Sequence, residues 1–350
     1  MFCSKVNAYK ITLQSYAFIS KLTAVKDKNR YICTDIRQCN DKTKDAETMK
    51  YGIIGTGAIG GYYGAKLARA GHDVHFLLHT DYDHVLSSGL RIDSCDGDFR
   101  LERVCAYASP ADMPQCDIVL VGLKSVNNRL LPDLLRPVLH SRTLVVLIQN
   151  GIGLEADLQA AMPGVWLAAG LAFICSAKVG PGHIAHQCYG NINIGNYSCP
   201  DASLVDALIA DLKDAGVGAV AVEYDEARWR KAVWNMPFNG LTVALDTRTD
   251  RLLECPSTLV LVKEMMMEVV GAARALGVSG VTEAFADKMI RNTMAMTPYS
   301  PSMKLDYDNH RPMEIDYLYT RPIAEARRVG FDMPRLSMLE AALRFKERAH

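Results

Sequence analysis

Lys231, Asn235 and Asn239 recur at intervals of four within an otherwise apolar stretch that runs from Trp229 to Thr242. On a helix this spacing stacks one ammonium and two amides along a single face. An ammonium donates protons and pairs with anions, and amides both donate and accept hydrogen bonds. An apolar helix has no packing reason to choose such a stripe. A solvated face is the ordinary alternative, and Pro237, which removes a backbone donor and can kink the helix, leaves the direction of the stripe open.

A second group binds rather than reacts. Gly55-Thr56-Gly57-Ala58-Ile59-Gly60 follows the apolar run Lys50-Tyr-Gly-Ile-Ile and precedes the small-residue segment Gly61 to Ala70, which Gly71 stops. A GxGxxG match alone is weak. Between a strand and a helix it gains a mechanism, because the first glycine permits a tight turn, the second admits a pyrophosphate to the backbone, and the third lets helix and strand close together. The next strand ends Leu77-Leu78-His79-Thr80-Asp81. No acid terminates it to hold a ribose hydroxyl, His79 with Thr80 could accept a 2′-phosphate, and Asp81 keeps NAD open. The balance favours NADP(H).

Two more polar loops follow apolar strands: Gly122-Leu123-Lys124-Ser125 and Gln149-Asn150-Gly151. Open α/β sheets bind ligands at the carboxyl ends of their strands, so Lys124 and Asn150 should converge with the glycine turn near a nicotinamide. Farther on, Ser302 to Asp306 and Glu314 to Asp316 place a hydroxyl and carboxylates between helical segments, where a charged surface loop is the usual explanation.

Several elements must position these groups. Strands are expected at 50–55, 74–78, 117–121, 144–148, 165–173, 183–185, 192–194 and 217–223, with a hairpin-like excursion at 90–92 and 101–105. Helices are expected at 58–70, 128–139 and 204–215. From Glu226 the rhythm becomes helical, with long apolar periods at 227–245, 257–276, 282–296, 316–329 and 334–348. The run Met265-Met266-Met267 reads as core filling. The fold class is therefore α/β, with an N-terminal Rossmann-like dinucleotide-binding domain (49–223) followed by a mostly α-helical substrate domain (224–350). A ligand cleft is expected between them.

In these motifs the chain resembles the ketopantoate reductase (2-dehydropantoate 2-reductase) family. The resemblance runs through nearly all of 50–346. It rests on the glycine turn, Leu123-Lys124, Gln149-Asn150-Gly151, Trp229-x-Lys231 with Asn235 and Asn239, Ser302-Met303 with Asp306, and the Arg311 to Asp316 segment. It implies NADPH-dependent reduction of a 2-oxo acid, with Lys231 as general acid and Glu314 as the acidic substrate-site residue. Asn235, Asn239 and Ser302 would hold the substrate, and Lys124 and Asn150 would lie beside the cofactor. Hydride arriving at C2 creates an alkoxide that a lysine ammonium can stabilise and protonate. Three positions depart from the family pattern: His79 stands where arginine is frequent, Gly240 where proline is frequent, and Thr249 where some members carry a substrate-contacting asparagine. An opine-type or other 2-hydroxy acid dehydrogenase is the near alternative, and a non-catalytic nicotinamide-nucleotide sensor is the alternative of another class.

Composition bounds these readings. The 350 residues carry 39 Lys and Arg against 39 Asp and Glu, with 49% hydrophobic residues and a mean hydropathy of +0.01. A neutral chain has no long-range pull toward nucleic acid or an acidic membrane. The longest apolar run, Val165 to Cys175, falls far short of the ~20 residues that span a bilayer. Ten scattered cysteines without a CxxC suit free thiols in a reducing compartment. His72, His75 and His84 lack metal-like spacing, and no metal site is expected. The neutrality is an average, since residues 1–48 carry a net +4 and the remainder −4. The first 48 residues read as a dispensable extension, with the working start near Met49, or as a basic organelle presequence. The body reads as cytoplasmic. The oligomeric state stays open, a homodimer being one arrangement.

Overall fold

The computed structural model describes residues 49–348, so the expectations for residues 1–48 lie outside the described part. The first half is one ten-stranded sheet. Its central strands β1 (Lys50–Ile54), β6 (Ile118–Val121) and β7 (Leu144–Leu147) are buried along almost their whole length. That is the demand on a parallel strand covered on both faces, and it explains their unbroken Ile, Val and Leu. They pair in parallel, as do β1 with β2 (Asp73–Leu77) and β7 with β8 (Trp166–Gly180).

With β5 (Cys105–Tyr107) beside β2, the spatial order is β5-β2-β1-β6-β7-β8. This is the doubly wound dinucleotide-binding order, and its direction reverses between β1 and β6. Helix α1 (Ala58–Arg69) crosses from β1 to β2.

Beyond β8 the sheet departs from the expected pattern. The segments expected at 183–185 and 192–194 are parts of one strand, β9 (His183–Asn196), which pairs antiparallel with β8 as a long ribbon. Register shifts at Phe173/Ile174, Cys175/Ser176 and Lys178/Gly180 interrupt that ribbon. Each inserted residue breaks the two-residue alternation by which a strand is recognised, so the sequence shows only fragments. The hairpin forms between β3 (Leu90–Ser94) and β4 (Phe99–Leu101). Cys105 leaves it for β5, which runs parallel to β2. The helix expected at 128–139 is three short turns, 3₁₀ at Ser125–Leu130, α at Leu131–Leu135 and 3₁₀ at Arg136–Val138, because Pro132 and Pro137 each sit in the first turn of a new segment.

The second half is helical. Its axis is α6 (Tyr224–Ala244), where Glu223 caps the N-terminus by accepting from the Asp225 and Glu226 amides. The helix continues through Pro237. Most of its residues from Arg228 to Val243 are buried, so the solvated-face alternative fails. Gly240 has a packing reason: a Cβ there would lie 2.5 Å from both Leu339 Cδ2 and the Tyr319 hydroxyl, which itself donates to the Met236 carbonyl at 2.6 Å. Met265 and Met266 are wholly buried in the helical core and Met267 packs against it, in the filling role expected of them. Among the described residues no helix is long and apolar enough to cross a membrane.

Candidate active site

The glycine turn stands where the sheet order reverses, and its three glycines are required for different reasons. Gly55 adopts φ +90, and a Cβ on it would strike the Leu123 amide nitrogen at 2.5 Å. A Cβ on Gly60 would lie 2.4 Å from the Gly55 carbonyl oxygen. Both therefore serve close packing of strand, turn and helix. Gly57 differs, since a Cβ there would meet nothing within 4 Å. The space it keeps open lies at the start of α1, whose first turn holds no acid and whose N-cap offers no side-chain hydrogen bond. Such a terminus presents unpaired amides and the positive end of the helix dipole to an anion. The residues present thus fit a dinucleotide pyrophosphate. Thr56 is tied back by donating its hydroxyl to the Leu77 carbonyl at 2.8 Å, while Ala58 and Ile59 begin the helix.

At the end of β2, His79 and Thr80 are exposed and Asp81 is buried. Asp81 already has its partners. Its Oδ2 accepts from Lys178 Nζ at 2.6 Å and from the Gly182 amide at 2.9 Å, and its Oδ1 accepts from the Thr80 hydroxyl at 3.0 Å. Although burial opposes it, the bonds from Lys178, Gly182 and Thr80 together hold this carboxyl below its ordinary range. Asp81 staples the β8–β9 turn.

The stripe on α6 occupies the cleft. Lys231 and Asn235 line a small pocket with Gly151, Arg228 and Tyr317. Lys231 Nζ donates to the Ala172 carbonyl at 2.7 Å and lies 5.5 Å from the centroid of the Phe173 ring. Removal from water, followed by repulsion from Arg228, pushes its ammonium down to about 7, while Glu314 acts in the opposite sense. A lysine poised near neutrality holds a proton it can release. Asn239 is spent differently: its Nδ2 donates to the Asn235 carbonyl at 3.0 Å, and its Oδ1 accepts from the Met303 amide at 3.1 Å. It therefore anchors the short helix Ser302–Asp308, at whose first position Ser302 stands half-buried.

Lys124 and Glu314 meet across the cleft. Lys124 pairs with buried Asp306, and its Nζ lies 3.9 Å from Glu314 Oε2. Glu314 Oε1 accepts from the Ser125 amide at 2.9 Å and the Ser125 hydroxyl at 2.8 Å. Asp306 is also held by Arg311 Nε at 2.9 Å. The structure thus joins Lys124, Lys231, Asn235, Asn239, Ser302 and Glu314 in one connected region. Asn150 sits half-buried in the loop after β7, between Gln149, whose side chain is bound to Leu123 and Asn128, and Gly151, which packs on Tyr317. Thr249 does not present a side chain to this region; it is buried, and its amide and hydroxyl both donate to the Tyr299 carbonyl, at 3.2 and 3.1 Å.

Sequence reasoning missed an ion pair beneath the pocket. Arg228 and Glu155 are both buried and paired. Arg228 also donates to the Gln149 carbonyl at 2.6 Å, and Glu155 accepts from the Tyr224 hydroxyl at 2.7 Å. The pair fastens the loop bearing Asn150 to the helix bearing Lys231. A signal existed in Arg228, three positions before Lys231 and so on nearly the same face, but its partner lies 73 residues away.

Residues 51–198 match the family model described as ketopantoate reductase PanE/ApbA. Residues 223–347 match that described as its C-terminal part. A 2-dehydropantoate 2-reductase of Nostoc sp. is 42% identical over 302 residues, covering 85% of this chain and 94% of that protein. The crystal structure of 2-dehydropantoate 2-reductase from Geobacter metallireducens superposes with a TM-score of 0.82 at 37% identity, covering 86% of this chain and all of that one. A D-mandelate dehydrogenase solved with NADH and anilino(oxo)acetate shares the fold, with a TM-score of 0.77 at 21% identity over 86% of this chain and 99% of that one. By its glycine turn, its helical stripe and these matches over both halves, the chain belongs to the ketopantoate reductase family of oxidoreductases.

Proposed function

We propose that this protein reduces 2-dehydropantoate (ketopantoate) to pantoate with NADPH, using Lys231 as general acid. The observation that carries this reading is the Lys231 ammonium, poised near neutrality in a pocket with Asn235 and Gly151. Gly55, Gly57 and Gly60 would hold the dinucleotide, whose reduced nicotinamide would supply the hydride for C2 of the 2-oxo acid. Lys231 stabilises the developing alkoxide and gives it a proton, and the resulting amine recovers one from solvent. Glu314, one oxygen of which is held by Ser125, favours the ammonium form of Lys231 through its charge. Asn235 and the Ser302 hydroxyl orient the substrate, and Asn239 places Ser302 by holding the amide of Met303. Lys124 and Asn150 belong to the cofactor side. Because Lys124 also pairs with Asp306, it links that side to the helical half.

The commitment of Asp81 Oδ2 to Lys178 and Gly182 supports NADP over NAD, since it ties the nearest acid into the β8–β9 turn. The mandelate dehydrogenase that shares the fold was solved with NADH, so a 2-hydroxy acid dehydrogenase using NADH is the second reading. The domain division at 223/224, a cytoplasmic location and a homodimer belong to the same proposal. Initial rates with ketopantoate, 2-oxoisovalerate, phenylglyoxylate and pyruvate, each with NADPH and NADH, test it. Preference for ketopantoate with NADPH supports the assignment, and faster turnover of phenylglyoxylate with NADH overturns it.

A further inference from the structure

Cys175 on β8 and Cys188 on β9 are directly opposed in the antiparallel ribbon. Opposed residues in such a pair bring their Cβ atoms to within about 4.5–5.5 Å, close to the ~3.8 Å of a disulfide. Cys188 and Tyr299 both lie close enough to the Cys175 thiol to shift its proton affinity. The pair sits among irregularities. Register shifts flank it on both sides, and the residue after Cys188, Tyr189, has φ 65, with Gly190 at φ 113 behind it. A bulged ribbon of this kind can draw its strands together by the small amount a disulfide needs, where a regular ladder would resist.

Cys175 adjoins the reaction machinery. Three residues before Cys175, the Ala172 carbonyl holds Lys231 Nζ, and Phe173 stacks beneath it. Tyr299, close to Cys175, accepts from the Thr249 hydroxyl through its carbonyl and lies three residues before Ser302. Cys175 thus lies on the strand that holds Lys231 Nζ and beside the segment that leads to Ser302.

We propose that Cys175 and Cys188 are a thiol–disulfide modification site for small-molecule disulfides of the R–S–S–R class, and that the cross-strand bond slows the enzyme by shifting the Ala172 carbonyl and Tyr299. Cys188, which retains solvent contact while Cys175 is buried, reacts first. Its thiolate attacks one sulfur of R–S–S–R, forming a mixed disulfide and expelling R–S⁻. Cys175, deprotonated by solvent, then attacks Cys188 Sγ and expels the second R–S⁻. Two protein thiols are oxidised to one disulfide while R–S–S–R is reduced to two R–SH, each leaving thiolate taking up one of the two protons released. Burial pushes the Cys175 thiol up to about 12, so its attack waits on the loss of its proton to solvent. Transient disulfides of this kind suit a chain whose other described thiols are also free.

The full-length protein incubated with glutathione disulfide tests this, by peptide mapping under non-reducing conditions and by turnover before and after dithiothreitol. We expect a Cys175–Cys188 cross-link, turnover reduced about tenfold as for other small displacements of a catalytic group, recovery on reduction, and an unchanged cooperative melt. Cys188→Ser and Cys175→Ser should resist the loss, and Cys95→Ser should behave as the parent. Glutathione retained on Cys188 without a cross-link, a bond from Cys188 to Cys95, or a complete cross-link with unchanged turnover would each overturn it. Loss of the cooperative melt on oxidation would do the same, by making inactivation mere unfolding. The effect on turnover rests on the reductase reading. The mapped bond does not, so failure of that reading and of this one are separable.

Discussion

Arg228 and Lys231 lie three residues apart on one helix, and the first, buried in its pair with Glu155, repels the charge of the second. A cation thereby lowers the proton affinity of the group that is to donate a proton, and this has consequences for rate and for pH.

Replacing Lys231 with alanine should lower kcat by about 10²–10⁴, the range for loss of a positioned general acid. NADPH affinity, read by quenching of protein fluorescence, should change by less than about threefold, a difference of under 1 kcal/mol. Normal turnover in this variant would remove Lys231 from the mechanism.

Reduction needs the ammonium, so kcat/KM for the 2-oxo acid should fall as pH rises through about 7, the value to which Lys231 is depressed. Arg228→Met alone would strand buried Glu155 at a cost of about 3–5 kcal/mol. The double variant Arg228→Met with Glu155→Gln avoids that. With the repelling guanidinium gone, its falling limb should move to higher pH, and pH–rate profiles of the two proteins decide the matter. A limb that stays in place would show that burial alone sets the proton affinity.

The glycine turn separates folding from binding. Gly60→Ala should destabilise the protein by about 1–3 kcal/mol, as overpacking against backbone does, because its Cβ meets the Gly55 carbonyl. Gly57→Ala has an extended backbone and open space to occupy. It should melt within about 0.5 kcal/mol of the parent, as surface substitutions do, yet weaken NADPH at least about tenfold. Calorimetry and dinucleotide titration on both variants check this. Undiminished binding by Gly57→Ala would place the pyrophosphate elsewhere.

Cofactor choice should follow His79 and not Asp81. His79→Glu, which sets a carboxylate where a 2′-phosphate would lie, should lower the NADPH/NADH ratio of kcat/KM by about tenfold or more, about 1.4 kcal/mol. Asp81→Asn should leave that ratio within about twofold, below 0.5 kcal/mol, and lower the melting temperature by loosening Lys178 and Gly182. A ratio that moves with Asp81 would make Asp81 a ribose ligand after all.

Much of the site was legible because its logic is local. The glycine turn reads from its place between a strand and a helix, with the Gly60 clash arising inside that unit, although the atoms that bar a side chain at Gly55 belong to the distant Leu123. The stripe of Lys231, Asn235 and Asn239 reads from helical periodicity alone. The ribbon was not legible in the same way, because its bulges break the alternation that identifies a strand. Asp81 keeps NAD open in the sequence, and its tie to Gly182, 101 residues later, lies beyond any local pattern.

By itself, then, the sequence determined the two-part fold, the place of the dinucleotide turn, and the face of the helix on which the ammonium lies. Tertiary structure alone decided that Lys231 is poised near neutrality, that Lys124 spans to Asp306 182 residues away, and that Cys175 faces Cys188. Turn conformation and helical periodicity act between near neighbours and are written in residue order. Proton affinity, ion pairing and cross-strand contact depend on which distant groups share a low-dielectric space, and only the closed chain brings those groups together.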